Sequence, residues 1–249
     1  MPINFTSLFQ DSWNFMRNQK TLVYRFLFIY TLFSLASYAL NANLLNNTEI
    51  STNTSEQILQ NIALSDIALM YIVQQTSFLF LNSWTMLSVD QINRQQSLNL
   101  SQSFSAALSK FIGVITLNLL LILPLSLIVL DIFSSIFTHR SPSMFALPGM
   151  IFGIFVFIRL FLAPIAYLLD DQKWSKAIGF IWQSGIKRSS TLLLFCLITQ
   201  FLFGLIAQSL NALANNSFLP VVAATLLAAL HLFNLILTYR FYRLFTQKA

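Results

Sequence analysis

The sequence predicts an all-α fold, a polytopic membrane helix bundle with six transmembrane helices and three amphipathic interfacial helices on its cytoplasmic side. Three observations predict it. Hydrophobic residues make up 56% of the 249 residues, charged residues 9%, and the mean hydropathy is +0.69, a composition that a water-facing surface could not enclose. The apolar residues form runs near the ~20 residues that a bilayer crossing needs, without the alternation of a barrel strand. Lysine and arginine fall unevenly among the connecting segments. With lipid outside, backbone N–H and C=O groups must find partners within their own segment, which a helix provides.

The six expected spans are residues 22–40, 67–89, 111–130, 145–169, 191–210 and 219–239. Pro124 and Pro164 fall inside two of them. A proline removes one backbone donor and crowds the carbonyl four residues earlier, so each predicts a kink, yet neither removes a span because neighbouring helices can satisfy the freed group.

Orientation follows from the basic residues, which are retained on the cytoplasmic side. One set of segments holds Arg17, Lys20 and Arg25, then Arg94 and Lys110, then Lys173, Lys176, Lys187 and Arg188, then Arg240, Arg243 and Lys248; the opposite set holds Arg140. Both termini are therefore expected in the cytoplasm, and the Asn/Ser/Thr-rich loop 41–61 outside. The net charge of +6 and pI of about 9.7 suit anionic lipid headgroups and not nucleic acid. The bilayer is the expected partner, with an envelope protein or a second copy of the chain as further candidates.

Ser37-Tyr38-Ala39 offers small residues at a signal-cleavage spacing. The apolar run before it exceeds the about 7–15 residues of a signal core, and a long polar segment carrying Trp13 precedes that run, so the first span reads as an uncleaved anchor. Cys196 is the one cysteine, which excludes intrachain disulfides and thiol clusters. Glycosylation-like triplets begin at Asn46, Asn53 and Asn4; the last lies on the expected cytoplasmic side, so Asn-rich composition accounts for all three.

An amphipathic pattern precedes each odd-numbered span. Phe5, Leu8, Phe9, Trp13 and Met16 share one helical face, opposite Thr6, Ser7, Gln10, Asp11, Asn14 and Arg17. Leu100, Phe104, Ala107, Leu108 and Phe111 repeat it, and so do Trp174, Ala177, Ile178, Ile181, Trp182 and Gly185. Three units are read from this, 4–95, 96–172 and 173–249, each an interfacial helix, an outward span and a returning span. The alternative is that any segment linking two spans on the basic side looks amphipathic.

Polar residues within spans are the candidates for chemistry. Arg159 lies ten residues from the cytoplasmic end of the fourth span, roughly 15 Å deep at helical rise. An ionised group there is expected to face the bundle interior or a wet cavity. No carboxylate matches its depth, because Asp66, Asp131, Asp90, Asp170 and Asp171 fall at span ends. The expected partners are neutral: Arg159 with Gln200 and His231, joined by Asn118 and Gln74 and approached by Gln75 and Asn234. The alternative is an arginine held by carbonyls freed at Pro164 and by water. Gly149/Gly153 and Ala224/Ala228 are small-residue steps at which the fourth and sixth spans could touch each other or another subunit.

Catalytic signatures are absent. No glycine-rich phosphate loop, HExxH, CxxC or GxSxG occurs. Asp170-Asp171 is followed by Lys173 and Lys176 and reads as a solvated span end, and His139-Arg140 brings no second metal ligand. No catalytic, cofactor-binding or metal-binding residue is expected, and no cofactor.

Three stretches carry a family resemblance across nearly the full length: Asp11 with Asn14-Phe15-Met16-Arg17-Asn18-Gln19, Leu162-Ala163-Pro164 followed by Asp171 and Lys173, and Tyr239-Arg240-Phe241-Tyr242-Arg243. In these the chain resembles the YciC family of bacterial inner-membrane proteins. It departs from the family pattern at Phe152-Gly153, which keeps only the glycine of a Pro-Gly pair. The resemblance implies a Gram-negative cytoplasmic membrane and carries over no catalytic or binding residue. Two roles follow: a non-enzymatic structural or accessory envelope protein, or a small-solute permease or channel lined by Gln74, Asn118, Arg159, Gln200 and His231. Prolines at unlike depths, where a transporter's repeats would break at matching places, favour the first.

Overall fold

Helix α1 (Phe5–Asn18) starts where the Asn4 side chain accepts hydrogen bonds from the N–H groups of Thr6 and Ser7 at 3.0 and 3.4 Å. Such a cap satisfies donors that the first turn leaves open. In the computed structural model, which describes residues 3–50, 56–138, 141, 143–170, 172–186, 188–213 and 220–247, the chain continues through α2 (Lys20–Ile50), α3 (Glu56–Asn93), α4 (Leu100–Phe137), α5 (Ala146–Leu160), α6 (Ala163–Leu169), α7 (Trp174–Ser184), α8 (Ser189–Cys196), a π-helical turn (Leu197–Leu202), α9 (Phe203–Leu213) and α10 (Pro220–Gln247). No strand occurs among these residues. His139, Arg140, Asp171, Lys187, Lys248, Asn53 and the middle of the 41–61 loop lie outside them, as does the side chain of Asp66.

Five stretches are long and apolar enough to cross a membrane: Lys20–Leu40, Leu100–Ile136, Ala146–Leu169, Ser189–Ala212 and Pro220–Gln247. Their outward faces are apolar, with Leu32, Leu119, Leu123, Leu127, Phe152, Phe201 and Val222 exposed. The expected second span lies within α3, whose described part carries Gln74, Gln75, Asn82, Ser83, Thr85 and Ser88. These polar residues lower its hydropathy, and several turn inward: Ser83, Thr85 and Ser88 are buried, each donating to the carbonyl four residues back.

Three boundaries differ from the sequence expectation. Most of the expected outer loop 41–61 is helical, since α2 runs on to Ile50 and α3 begins at Glu56. The second amphipathic segment and the third span form one helix, α4, because nothing interrupts the chain after the Asn99 cap, and even Pro124 leaves the helix continuous. The expected fourth span divides into α5 and α6 at Phe161–Leu162. Helix α5 ends at Leu160, four residues before Pro164, where the ring would meet the Leu160 carbonyl.

The three amphipathic segments share a burial pattern. Counting from the N-cap residues Asn4, Asn99 and Lys173, positions four and eight are Leu8 and Ser12, Ser103 and Ala107, and Ala177 and Ile181, and all six are buried. Each segment packs on a helix that returns to the same end of the bundle. Phe104 meets Phe80 and Trp84 of α3 at 5.1 and 5.2 Å between ring centroids, Trp182 meets Phe155 of α5 at 6.1 Å, and Phe9 and Trp13 meet Phe233 of α10 at 5.9 and 6.4 Å. The contact of α1 with α10 brings the first and last helices together.

The glycine step of α5 faces α4 and not the sixth span, one of the two contacts that the sequence leaves open for it. A Cβ on Gly153 would lie 2.9 Å from Leu125 and one on Gly149 would lie 3.2 Å from Ile128. Ala224 and Ala228 are buried elsewhere, on α10. Gly153→Ile should therefore weaken the fold by about 1–3 kcal/mol through overpacking. Gly179→Ala in α7, where an added Cβ meets nothing within 4 Å, should be neutral or stabilising by up to ~1 kcal/mol. Unfolding midpoints in detergent micelles check both.

Candidate functional site: a polar cavity above an ionic cluster

A cavity of about 720 Å³ lies among α2, α3, α10 and the π-turn with α9. Helical spacing brings its lining together. Tyr30, Ser34, Ser37 and Tyr38 come from one face of α2, Gln74, Gln75, Phe78 and Asn82 from α3, His231 and Asn234 from adjacent turns of α10, and Thr199, Gln200 and Gly204 from the π-turn and α9. Residues three, four, seven or eight apart share a helix face. A π-turn widens the helix by one residue per turn, and this one sits on the cavity wall.

The cavity floor is a hydrogen-bonded group joining three helices. Tyr30 Oη donates to Asn82 Oδ1 at 2.9 Å and lies 3.0 Å from Thr85 Oγ1. His231 Nε2 lies 2.8 Å from the same Asn82 oxygen. A carbonyl oxygen only accepts, so the bond assigns the proton to Nε2. The His231 ring packs 4.4 Å from Phe78 and 5.1 Å from Tyr30. Asn234 Nδ2 reaches the Thr199 carbonyl at 3.4 Å, while its Oδ1 has no partner. On the opposite side of the floor from Asp90, Tyr38 hydrogen-bonds Asn211 and so links α2 to α9.

Two turns beyond the floor an ionic cluster closes the bundle. Asp90, 6% exposed, accepts from Arg94 Nε at 2.7 Å, Arg243 Nη2 at 2.5 Å and Tyr239 Oη at 2.9 Å. Arg243 Nη1 lies 3.5 Å from Asp170, to which Tyr242 also hydrogen-bonds. Arg94 Nη2 and Lys110 Nζ donate to the Leu169 and Leu168 carbonyls at 3.2 and 2.8 Å. These cations meet the C-terminal carbonyls of α6, where free acceptors and the helix dipole favour positive charge. Arg188 Nη1 donates to the Phe245 carbonyl at 2.9 Å. Arg94, Lys110, Arg188 and Arg243 thus gather at one end, here called the basic end.

The candidates from the sequence are divided by the fold. Gln74, Gln200 and His231 line the cavity. Arg159 and Asn118 are not among its lining residues. Asn118 Nδ2 donates to the Val114 carbonyl at 2.8 Å on its own helix. Arg159 is 7% exposed and packs over Trp182 and Phe155, with its Cζ 5.3 and 5.8 Å from their ring centroids. Its Nε and Nη1 are buried without hydrogen-bond partners. The arginine is thus set against α7, away from Gln200 and His231.

In the sequence Asp90 stands only as a span end and the Tyr239–Arg243 stretch only as a resemblance motif. The signal that could have found them is the spacing of Tyr239, Tyr242 and Arg243, which share a face of α10 at the depth of Asp90. The architecture is that of a helical bundle with an apolar exterior and a mainly apolar core that encloses a polar cavity and an ionic cluster, the class of integral membrane proteins. The chain is 35% identical over 250 residues to an uncharacterised protein of Haemophilus influenzae, a match covering 99% of this chain and 100% of that one, and it belongs to the same protein family. No protein-family model and no solved structure matches it.

A buried guanidinium with two nitrogens lacking hydrogen-bond partners costs stability that an apolar side chain of similar length would not. Arg159→Met should therefore leave the unfolding free energy unchanged or raise it by roughly 1–3 kcal/mol. A loss of more than ~1.5 kcal/mol would show that its contacts with Trp182 and Phe155 outweigh that cost.

Proposed function

We propose that the chain is a multi-pass protein of the bacterial inner membrane, a member of the YciC family with six spans and both termini in the cytoplasm. Its role in this reading is that of a non-enzymatic structural or accessory protein of the envelope. The sixth span is α3, which has the length to cross and whose polar residues turn toward the bundle. The uneven lysines and arginines support the orientation, since Arg94, Lys110, Arg188 and Arg243 gather at one end. The shared burial of Leu8/Ser12, Ser103/Ala107 and Ala177/Ile181 supports the division into units 4–95, 96–172 and 173–249, closed into a ring by α1 against α10, with the amphipathic segments at the headgroups.

One observation carries the preference for a static role. Beneath the cavity, Asp90, Asp170, Tyr239, Tyr242 and Arg243 are bonded to one another across α3, the end of α6 and α10. A solute path to the basic end would have to separate charges that lie against buried walls, and breaking a buried pair costs about 3–5 kcal/mol. The cavity itself favours the second reading, a small-solute permease or channel, with Gln74, Gln200 and His231 on the path.

Liposome flux separates the two. Full-length protein reconstituted in vesicles should release entrapped glycerol, phosphate or glutamate no faster than empty vesicles, and Asp90→Asn should leave that unchanged or produce a leak. Protein-dependent flux that His231→Leu or Gln200→Leu abolishes would replace the accessory role with transport.

A further inference from the structure

We propose that the cavity among α2, α3, α9 and α10 binds an uncharged amphiphile, a lipid-soluble molecule with hydroxyl or carbonyl groups on its head and a hydrocarbon tail. The charge of the lining comes first. Among the described residues the walls contain no Asp, Glu, Lys or Arg, although amide, hydroxyl and imidazole groups crowd them. A charged head would lose its hydration there with no opposite charge to replace it, whereas hydroxyls and carbonyls find both donors and acceptors.

Two features of the wall are those of a site rather than of packing. The π-turn Leu197–Leu202 places Thr199 and Gln200 on the cavity, and single π-turns inside α-helices are frequent at functional sites. Asn234 holds its amide there with Oδ1 unpartnered and Nδ2 in a long 3.4 Å bond. A small rotation presents that amide to a ligand hydroxyl, which supplies the missing donor.

The apolar part of the ligand has matching walls. Phe33, Phe78 and Phe203 line the cavity beside the polar groups. Gly204 leaves further room, since a Cβ there would meet nothing within 4 Å. The flanking helices are apolar on their outer faces, with Phe28 and Leu32 on α2 and Phe201 and Leu205 around the start of α9 exposed. A ligand dissolved in the bilayer therefore reaches the cavity's surroundings without crossing water. Below, the Tyr30–Asn82–His231 group gives it a floor.

The assignment deepens the accessory reading, because a closed basic end makes the cavity a place of binding and not of passage. Equilibrium binding in micelles is measured independently of flux, so the two can fail separately.

The test uses purified full-length protein in dodecylmaltoside micelles with radiolabelled 1,2-dioctanoylglycerol as probe. Dioctanoyl phosphatidic acid, with the same tails and a charged head, is the comparison. Saturable binding of one dioctanoylglycerol per chain is expected, with phosphatidic acid about tenfold weaker or more. Gly204→Phe fills the cavity at a helical position that gains from losing glycine, and should weaken binding about tenfold while the protein elutes as a folded species. Gln200→Leu removes one polar contact and should weaken it by about threefold to tenfold; it decides the matter if Gly204→Phe fails to fold. Partitioning no greater than into empty micelles, equal binding of phosphatidic acid, or full binding by folded Gly204→Phe would each overturn the proposal.

Discussion

Asp90 presents one nearly buried carboxylate to two guanidinium groups and a phenol, and through Arg243 it is joined to Asp170, so that the ends of three helices are held at one level. The apolar surroundings make this contact the constraint on the rest. In a medium of low effective dielectric a charge without a partner is costly, so the register of α10 against α3 is set by where Arg243 and Tyr239 can meet Asp90. The C-terminal carbonyls of α6 lie within reach of Arg94 and Lys110 for the same reason. His231 sits twelve residues before Arg243 and Asn82 eight before Asp90, so the register that joins the charges also brings the imidazole to the amide on the cavity floor.

Above that level the bundle is held by packing. The returning helices α3, α5 and α10 each receive an amphipathic segment through aromatic rings, and the third of these contacts closes the chain on itself. The Phe195 and Phe241 rings lie 3.8 Å apart and nearly parallel, fixing α8 to α10 close to the ionic cluster. Small residues take part where backbones approach, as Gly153 does against Leu125. Without water to expel between lipid-facing helices, such van der Waals fit is what selects partners.

Much of this could be read from residue order. Apolar run length gave the helices, because a helix satisfies its own backbone wherever it lies. The period of Phe5, Leu8 and Phe9 marks α1, and Pro124 and Pro164 each predict a kink in their spans, though only Pro164 divides its helix. The joining of 100–111 to the following span was not legible, since amphipathicity changes along a helix without any residue that stops it. Partnerships across helices were less legible still. Gln74, Gln200 and His231 share a depth and do share a cavity, but Arg159, at a similar depth, points to Trp182 because depth says nothing about azimuth around the bundle. The sequence places Asp90 at a span end and names no partner for it, because its burial is created by α10, some 150 positions later in the chain.

In the proposed role the bundle is a static frame around the cavity, and that frame depends on Asp90 and Arg243 acting as one unit. A double-mutant cycle with Asp90→Asn and Arg243→Gln, read as unfolding free energies in mixed micelles, tests this most directly. The account predicts a coupling energy of at least about 1 kcal/mol, with the double variant less destabilised than the two single variants together imply. Effects that add to within ~0.5 kcal/mol would mean that the two groups act independently, and the closed basic end could no longer be the constraint from which the remaining structure follows.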